Sequence, residues 1–371
     1  MNTDDIASQA KALPFWQRTF SSLRYRNYRL VWLGSLTEHL GQFMEGMAMA
    51  WLMKQLTQSP YYLGLLAVFR TAPLLFFALV GGVVTDRVDR RKLLLVCLLG
   101  GGAISVMLFI LVQSGAIAPW HLLAAATLGA IITGFNHPAR SAIIPNVAPK
   151  GELMNAIALD TISVRAPIML SAPIAGFIIS RFGTTPLFGV RAVGMALAAL
   201  WLRMARVPPT PPGARKQAPW RSLGEGLKFA AASSLITTLI ILFALREFQV
   251  DMSAVFLPFF ADDVLGSGAL GFGYLRFASG VGSLIGLFSI ASMGNFKYKG
   301  WLIIVAGILS GLFISAFALS PWLILSLVLL GVAGSFGTIH ENVSRTALQT
   351  IVPDEMRGRL MSLREAVRGL F

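Results

Sequence analysis

Charge is what this sequence has least of. Only 13% of its 371 residues are Asp, Glu, Lys or Arg, where a soluble chain of this length carries roughly a quarter. A water-covered globular domain is thereby excluded. There is a single cysteine, Cys97, set in an apolar run, which excludes a disulfide framework. Histidines number four and no acid–His ligand spacing recurs, so no metal site is expected. Acids are outnumbered 17 to 31 by Lys and Arg, for a net charge of +14. That surplus does not point to nucleic acid, because the cations sit in short loops between apolar runs, where they report membrane topology. No cleavable signal peptide is seen: the first apolar segment starts near Arg29 after a polar, basic leader and is too long for a signal h-region.

What the chain does have is hydrocarbon. It is 55% hydrophobic with a mean hydropathy of +0.69, and about ten of its apolar runs reach the roughly 20 residues that cross a bilayer as a helix. Backbone polar groups must be satisfied internally in lipid, which leaves a polytopic all-α membrane protein. Spans are expected at 30–53, 60–83, 93–113, 121–138, 154–180, 186–205, 235–260, 269–292, 301–319 and 322–345. Phe15, Trp16 and Phe20 in the leader suit the membrane interface. Between the sixth and seventh spans, VPPTPPGARKQAPW (207–220) cannot continue a helix and reads as a linker; 222–234 reads as a short interfacial helix. With the N-terminus in the cytoplasm, 24 of the 31 cations fall inside and only Lys54 and Arg181 outside. Arg70, Arg165, Arg191, Arg246 and Arg276 lie within spans. The positive-inside rule therefore fixes the orientation.

The chain also repeats itself. RSAIIPNVAPKGE begins at Arg140 and RTALQTIVPDE at Arg345, 205 positions on. Arg70 and Arg276 are 206 apart, as are Glu45 and Asp251. Matches at one offset argue for two homologous halves related by an axis along the membrane normal. The organising stretch is GGVVTDRVDRRK (81–92), a short cationic loop between the second and third spans. Its pattern Gly82-x-x-x-Asp86-Arg87-x-x-Arg90-Arg91-Lys92 resembles the signature loop of the major facilitator superfamily, and with NHPARSAIIPNVAP and the linker the chain is similar to that superfamily's exporter branch, which includes siderophore and macrolide efflux proteins. Departures are Asp89 where the general motif has Gly, Ala172-Pro173 for the antiporter-type Gly-Pro of the fifth span, and a degenerate second loop, GNFKYKG (294–300). The resemblance implies two pseudo-symmetric six-helix halves: residues 1–206, a linker at 207–234, and 235–371 with four spans plus the start of a fifth. Measured against that fold two helices are missing, so an inactive truncated fragment stands as an alternative.

Several residues could carry function. Ionisable groups in hydrocarbon mark a pathway or a proton relay, which singles out Glu45 and Asp251. Related by the repeat, they are expected to face the central cavity from opposite halves; each could instead be tied to a nearby Arg. Glu38 lies two turns from Glu45 on roughly the same face, beside His39, whose ring titrates in a useful range but is more often a satisfied polar contact. In the seventh span Glu247 and Asp251 share a face and Arg246 points elsewhere; substrate contact and an internal ion pair are both open. Asn136 and Glu341 share the 205 offset and suit inner-gate hydrogen bonding or substrate contact. Arg70 and Arg276, at mid-depth, would draw an anionic substrate or pair with Glu45 and Asp251. In the signature loop the resemblance implies a gate latch. Asp86 would accept N–H groups at the start of the eleventh helix, while Arg87, Arg90, Arg91 and the helix-end Arg140 are gate residues. The loop cations are expected to pair with acids such as Glu152 or Glu355, or simply to obey the positive-inside rule.

A membrane-embedded enzyme is not indicated, since there is no nucleophile elbow and no His/Asp pair at a span end. The resemblance implies a secondary active transporter in the bacterial inner membrane. It would export a small amphipathic molecule, a siderophore or a drug, by proton antiport and alternating access. An importer or uncoupled facilitator is the alternative. The proton gradient takes the place of a cofactor, the partners are a small-molecule substrate and the bilayer, and a monomer is expected.

Overall fold

The computed structural model describes residues 20–85, 87–148, 152–208, 227–293 and 298–352, with Met356, Leu360, Leu363, Arg364 and Val367 beyond them; the side chains of Leu79, Val83 and Asp251 are not described. Ten long helices follow one another: α1 (Arg26–Thr57), α2 (Pro60–Thr85), α3 (Arg90–Gln113), α4 (Pro119–Val147), α5 (Leu153–Phe182), α6 (Thr185–Met204), α7 (Ser234–Phe259), α8 (Gly268–Met293), α9 (Lys299–Ala318) and α10 (Leu323–Ile351). No strand occurs among the described residues. Eight of the ten are long and apolar enough to cross a membrane. The other two, α1 and α7, are interrupted by the charges of Glu38, Glu45 and Lys54 and of Arg246, Glu247 and Asp251. Most of the expected linker lies outside the described residues, although 227–231 is helical. Met356, Leu360, Leu363, Arg364 and Val367 beyond α10 are also helical.

Helix ends agree with the apolar runs to within four residues except in α10, which runs six residues past 345 to Ile351, and in α4, which does not stop at Pro138 but runs to Val147 through both Pro138 and Pro145. Pro138 and Pro145 leave the Gly134 and Ser141 carbonyls without their helical N–H donors, an interruption that membrane helices packed in a bundle tolerate. Around the two breaks, Ser141 Oγ donates to the His137 carbonyl at 2.9 Å, and Asn146 Nδ2 and Arg90 Nη1 donate to the Ala142 carbonyl at 3.3 and 3.1 Å.

Helix packing repeats along the chain. Within the first six helices α2 packs on α4, α3 on α4 and α6, and α1 on α5 and α6; within the last four, α8 and α9 both pack on α10, as α2 and α3 do on α4. The two groups meet mainly through α5 and α8. A Cβ on Gly176 would lie 2.9 Å from Gly273 Cα, and one on Gly273 would lie 2.7 Å from the Ala172 carbonyl oxygen. Only glycine on both helices permits so close a crossing.

The buried cores show where the groups join. At the end of the bundle holding the C-terminus of α1, one apolar cluster runs through both groups, from Met53, Leu108 and Phe188 to Leu257, Phe272 and Leu330. At the opposite end there are two separate cores. One holds Tyr28, Leu94, Ile143, Leu159 and Leu202 of the first group. The other holds Ile236, Ile303, Val343 and Leu348 of the second, with Leu360 and Leu363 added. Among the described residues the two groups share a core at one face, which is sealed, and keep separate cores at the other, the divided face.

Candidate charge network and cavity

Glu38 and Glu45 stand seven residues apart on α1, hence on one face of that helix. They turn into their own bundle, toward α3, α4 and α6. Glu38 is 6% exposed, and its carboxylate forms an ion pair with Arg140 of α4. It also accepts from Asn136 Nδ2 at 3.0 Å. Arg191 of α6 donates through Nη1 to the Glu38 backbone carbonyl at 2.6 Å, and its Nε lies 3.4 Å from Glu45 Oε2. Ser105 of α3 donates to Glu45 Oε1 at 2.7 Å. Gly41 makes room for the arginine: a Cβ there would lie 3.0 Å from Arg191 Cδ and 3.1 Å from Arg191 Cα. Charges this deep in hydrocarbon persist only when paired and hydrogen-bonded, and each acid here has both kinds of partner.

Glu38, Glu45, Asn136, Thr133 and Arg191 line a cavity of about 30 Å³ between α1, α3, α4 and α6. A polar site needs roughly 10–15 Å³ to hold a water molecule, so this one has room for about two. The expectation that Glu45 faces the gap between the halves is therefore corrected: it faces a small cavity inside one bundle, lined also by apolar residues such as Leu108, Ile132 and Met195. The side chain of its repeat mate, Asp251, lies outside the description. His39 points its Nδ1 at the Ser35 carbonyl, 2.7 Å away. That contact puts the proton of a neutral ring on Nδ1, so the neighbouring Arg140 Nη1 at 3.4 Å is a packing contact rather than a donor to it.

The last four helices carry a second cluster. Arg246 Nη1 lies 2.6 Å from Glu247 Oε1 and 3.4 Å from Glu341 Oε2. Arg364 lies 3.6 Å from Glu341 Oε1 and over the Phe243 ring at 4.0 Å. Asn136 and Glu341, related by the 205 offset, thus occupy matching places on α4 and α10, each facing the first helix of its group. The polarity is reversed: the first group puts its acid on α1 and cation on α4, the second its cation on α7 and acid on α10.

Arg70 and Arg276 are both exposed. A Cβ on Gly46 of α1 would lie 2.8 Å from Arg70 Nη1. The Arg276 guanidinium sits 5.9 Å from the Phe272 ring, and Phe272 stacks on Trp51 of α1 at 6.1 Å. Arg70 thus lies beside α1 at Gly46, while Arg276 is linked to α1 only through the Phe272–Trp51 stack. Direct ion pairing of Glu45 goes instead to Arg191.

In the signature loop Asp86 lies outside the described residues. Asp89 is the N-cap of α3, its carboxylate accepting from the Arg91 and Lys92 amides at 2.8 and 3.2 Å. Negative charge there offsets three cations crowded at a helix N-terminus. Arg90 and Arg91 do not reach Glu152. They donate to carbonyls, Arg90 to Ala142 and Arg91 to Arg203 at 2.6 Å, tying the start of α3 to α4 and α6. Glu152 accepts from Ser22 Oγ at 3.1 Å, and Glu355 lies outside the description. Arg87 is exposed. A Cβ on Gly82 would meet nothing within 4 Å.

Sequence reasoning assigned no role to Arg191, Ser105 or Lys54. Lys54 counted only as an outside charge, yet it is 1% exposed and its ammonium pairs with both Asp262 and Asp263. The usable signal for Arg191 was general: a cation within a span requires an acid.

Comparison with known proteins fits this architecture. A family model described as transmembrane secretion effector matches residues 17–369. The chain is 27% identical over 352 residues to the enterobactin exporter EntS of Shigella boydii serotype 18, covering 94% of this chain and 83% of that protein. The same figures hold for the exporter of Escherichia coli O1:K1 / APEC. Among solved structures, a bacterial homolog of the human lysosomal transporter Spinster, inward-facing and unoccupied, superposes with a TM-score of 0.71 at 17% identity, covering 93% of this chain and 80% of that one. A D-xylose-proton symporter gives 0.68 at 16%, covering 94% and 88%. At those identities the structures show the fold alone. The chain belongs to the transmembrane secretion effector family of major facilitator superfamily transporters.

Proposed function

We propose that the protein is a secondary active exporter of a small amphipathic molecule, a siderophore or a drug, driven by inward proton movement. The observation that carries this reading is the pair of α1 acids, Glu38 and Glu45, facing one cavity inside a transporter bundle. Glu38 is held by the Arg140 ion pair and Asn136. Glu45 has the looser set, a hydroxyl donor and an arginine at 3.4 Å, and is the acid we assign to proton loading. Losing its charge would release Arg191, which also grips the backbone of α1 at Glu38. A proton on Glu45 would thereby alter the α1–α6 contact, and α1 also carries Lys54, which pairs with the other group. Arg70 and Arg276 favour an anionic group on the cargo. With the N-terminus in the cytoplasm the divided face opens inward, as loading for export requires, and alternating access consists of closing it while the sealed face parts. The exporter relatives support this direction over import.

Proteoliposomes with an imposed pH gradient test it, using enterobactin and ethidium as separate probes. Gradient-driven transport of at least one should disappear in Glu45→Gln while counterflow persists. Gradient-driven transport that survives Glu45→Gln removes this acid from coupling. Transport indifferent to the gradient in the unaltered protein favours an uncoupled facilitator.

A further inference from the structure

We propose that Lys54, Asp262 and Asp263 form a charged clasp that shuts one mouth of the cavity between the two helix groups. It rests on the carrier reading only in taking the groups to move relative to one another. Lys54 sits in the last turn of α1. Its acceptors belong to the other group, in the π-helical turn Phe260–Val264 that continues α7. Lys54 Nζ donates to Asp262 and, at 2.7 Å, to Asp263 Oδ1. The ammonium also lies 5.7 Å from the Trp51 ring centroid and 5.3 Å from that of Phe259, one aromatic from each group. Cation–aromatic attraction of this kind strengthens where water is excluded.

The three charges are solvated unequally. The lysine side chain is 2% exposed, whereas those of Asp262 and Asp263 are 42% and 53% exposed. A lysine has no route to this depth unless the acids meet it, since an unpaired buried ammonium is costly. The two carboxylates, by contrast, are comfortable in water without it. The contact is therefore asymmetric: parting the groups leaves the aspartates hydrated and returns the lysine to solvent, so opening costs little beyond the pairing itself. The π-turn puts two consecutive aspartates within reach of one ammonium, giving the cation two acceptors. Around the clasp lies the only apolar core among the described clusters that runs through both groups, with the Trp51–Phe272 stack just below it. This is the face where the molecule is sealed, and the clasp is the charged part of the seal.

The test reads accessibility rather than transport, so its failure is distinguishable from failure of the proposed function. Met169 of α5 lies against Gly280 of α8, 3.5 Å from where a Cβ would stand, and is thus between the groups. Met169→Cys provides a label site, the native Cys97 being buried. Full-length protein in oriented membrane vesicles is then treated with a membrane-impermeant maleimide from each face in turn. Lys54→Met keeps the apolar stem and drops the charge. It should raise the labelling rate from the Lys54 face on the order of tenfold, less than for a wholly buried pair because the carboxylates are half in water. Labelling from the opposite face should fall. Asp262→Asn with Asp263→Asn should do the same, and serves alone if Lys54→Met does not reach the membrane. Exchange of charge, Lys54→Asp with Asp262→Lys, should bring labelling back toward the original rate. Unchanged labelling in the neutral variants, or a rise equal from both faces, overturns the clasp.

Discussion

Removing Arg140 should damage this protein far more than removing Arg140 and the charge of Glu38 together. The two side chains are only 10% and 8% exposed. Arg140→Met leaves the Glu38 carboxylate in that setting with Asn136 as its side-chain donor. Breaking a buried pair from one side costs about 3–5 kcal/mol. The surviving charge-assisted bond from Asn136 places the loss at the lower end, near 3 kcal/mol, roughly a hundredfold in the folded ratio. Arg140→Met with Glu38→Gln removes both charges and keeps an acceptor for Asn136. Replacing a whole buried pair is often neutral or better, so the double variant should fall within about 1 kcal/mol of the original. Unfolding of such a protein in detergent is commonly irreversible, so the assay pairs the tryptophan-fluorescence melting midpoint with the half-life at one fixed temperature. If Arg140→Met alone melts with the unaltered protein, or the double variant is as fragile as the single, the Glu38 charge is not held by Arg140 as described.

Three further outcomes follow from other contacts. Asp89→Ala should lose about 1 kcal/mol by uncapping α3 while Asp89→Asn loses little, compared in the same melts. Gly273→Ala places a methyl 2.7 Å from the Ala172 carbonyl oxygen and should cost about 1–3 kcal/mol by overpacking; Gly64→Ala, whose Cβ would meet nothing within 4 Å, should cost nothing and gain helix propensity. Tyr28→Phe removes a buried 2.7 Å bond to the Ala156 carbonyl and should lower stability by about 1 kcal/mol, read as a drop in melting midpoint.

What the sequence made legible was whatever depends on one helix at a time. Apolar length set the ten helices within a few residues, and the offset of about 205 residues placed Asn136 and Glu341 at matching positions before any packing was known. The seven-residue spacing put Glu38 and Glu45 on one face. Which neighbour that face meets is a property of packing, and there the alternative of a nearby arginine, not the central cavity, describes Glu45. Glu45 was expected opposite Asp251 because both are mid-span acids, but α6 crosses α1 at Gly41 closely enough to bring Arg191 to it. Arg90 and Arg91 were expected to seek carboxylates; the contacts described for them are to the Ala142 and Arg203 carbonyls, while Glu355 lies outside the described residues. Asp262 and Asp263 attracted no notice because the expected span ends at Phe260, while the backbone continues into a π-turn that carries both acids back to α1. The length of α4 was misjudged because its prolines look like stops, and the packing that carries the helix past them cannot be seen in one dimension.

The arrangement of the cores has a consequence for how the molecule comes apart. Amide exchange reports cooperative units drawn along contiguous packing. Tyr28, Leu94 and Ile143 belong to one such unit and Ile303, Val343 and Leu348 to another, so near these residues protection should be lost independently in each. Met53, Phe272 and Leu330 share a single unit, and a cavity cut at Phe272 should loosen amides in α1 as readily as in α8. Deuterium uptake would therefore draw the hinge on the protein as a shared, slow-exchanging band at one end, with two unlinked regions beyond it.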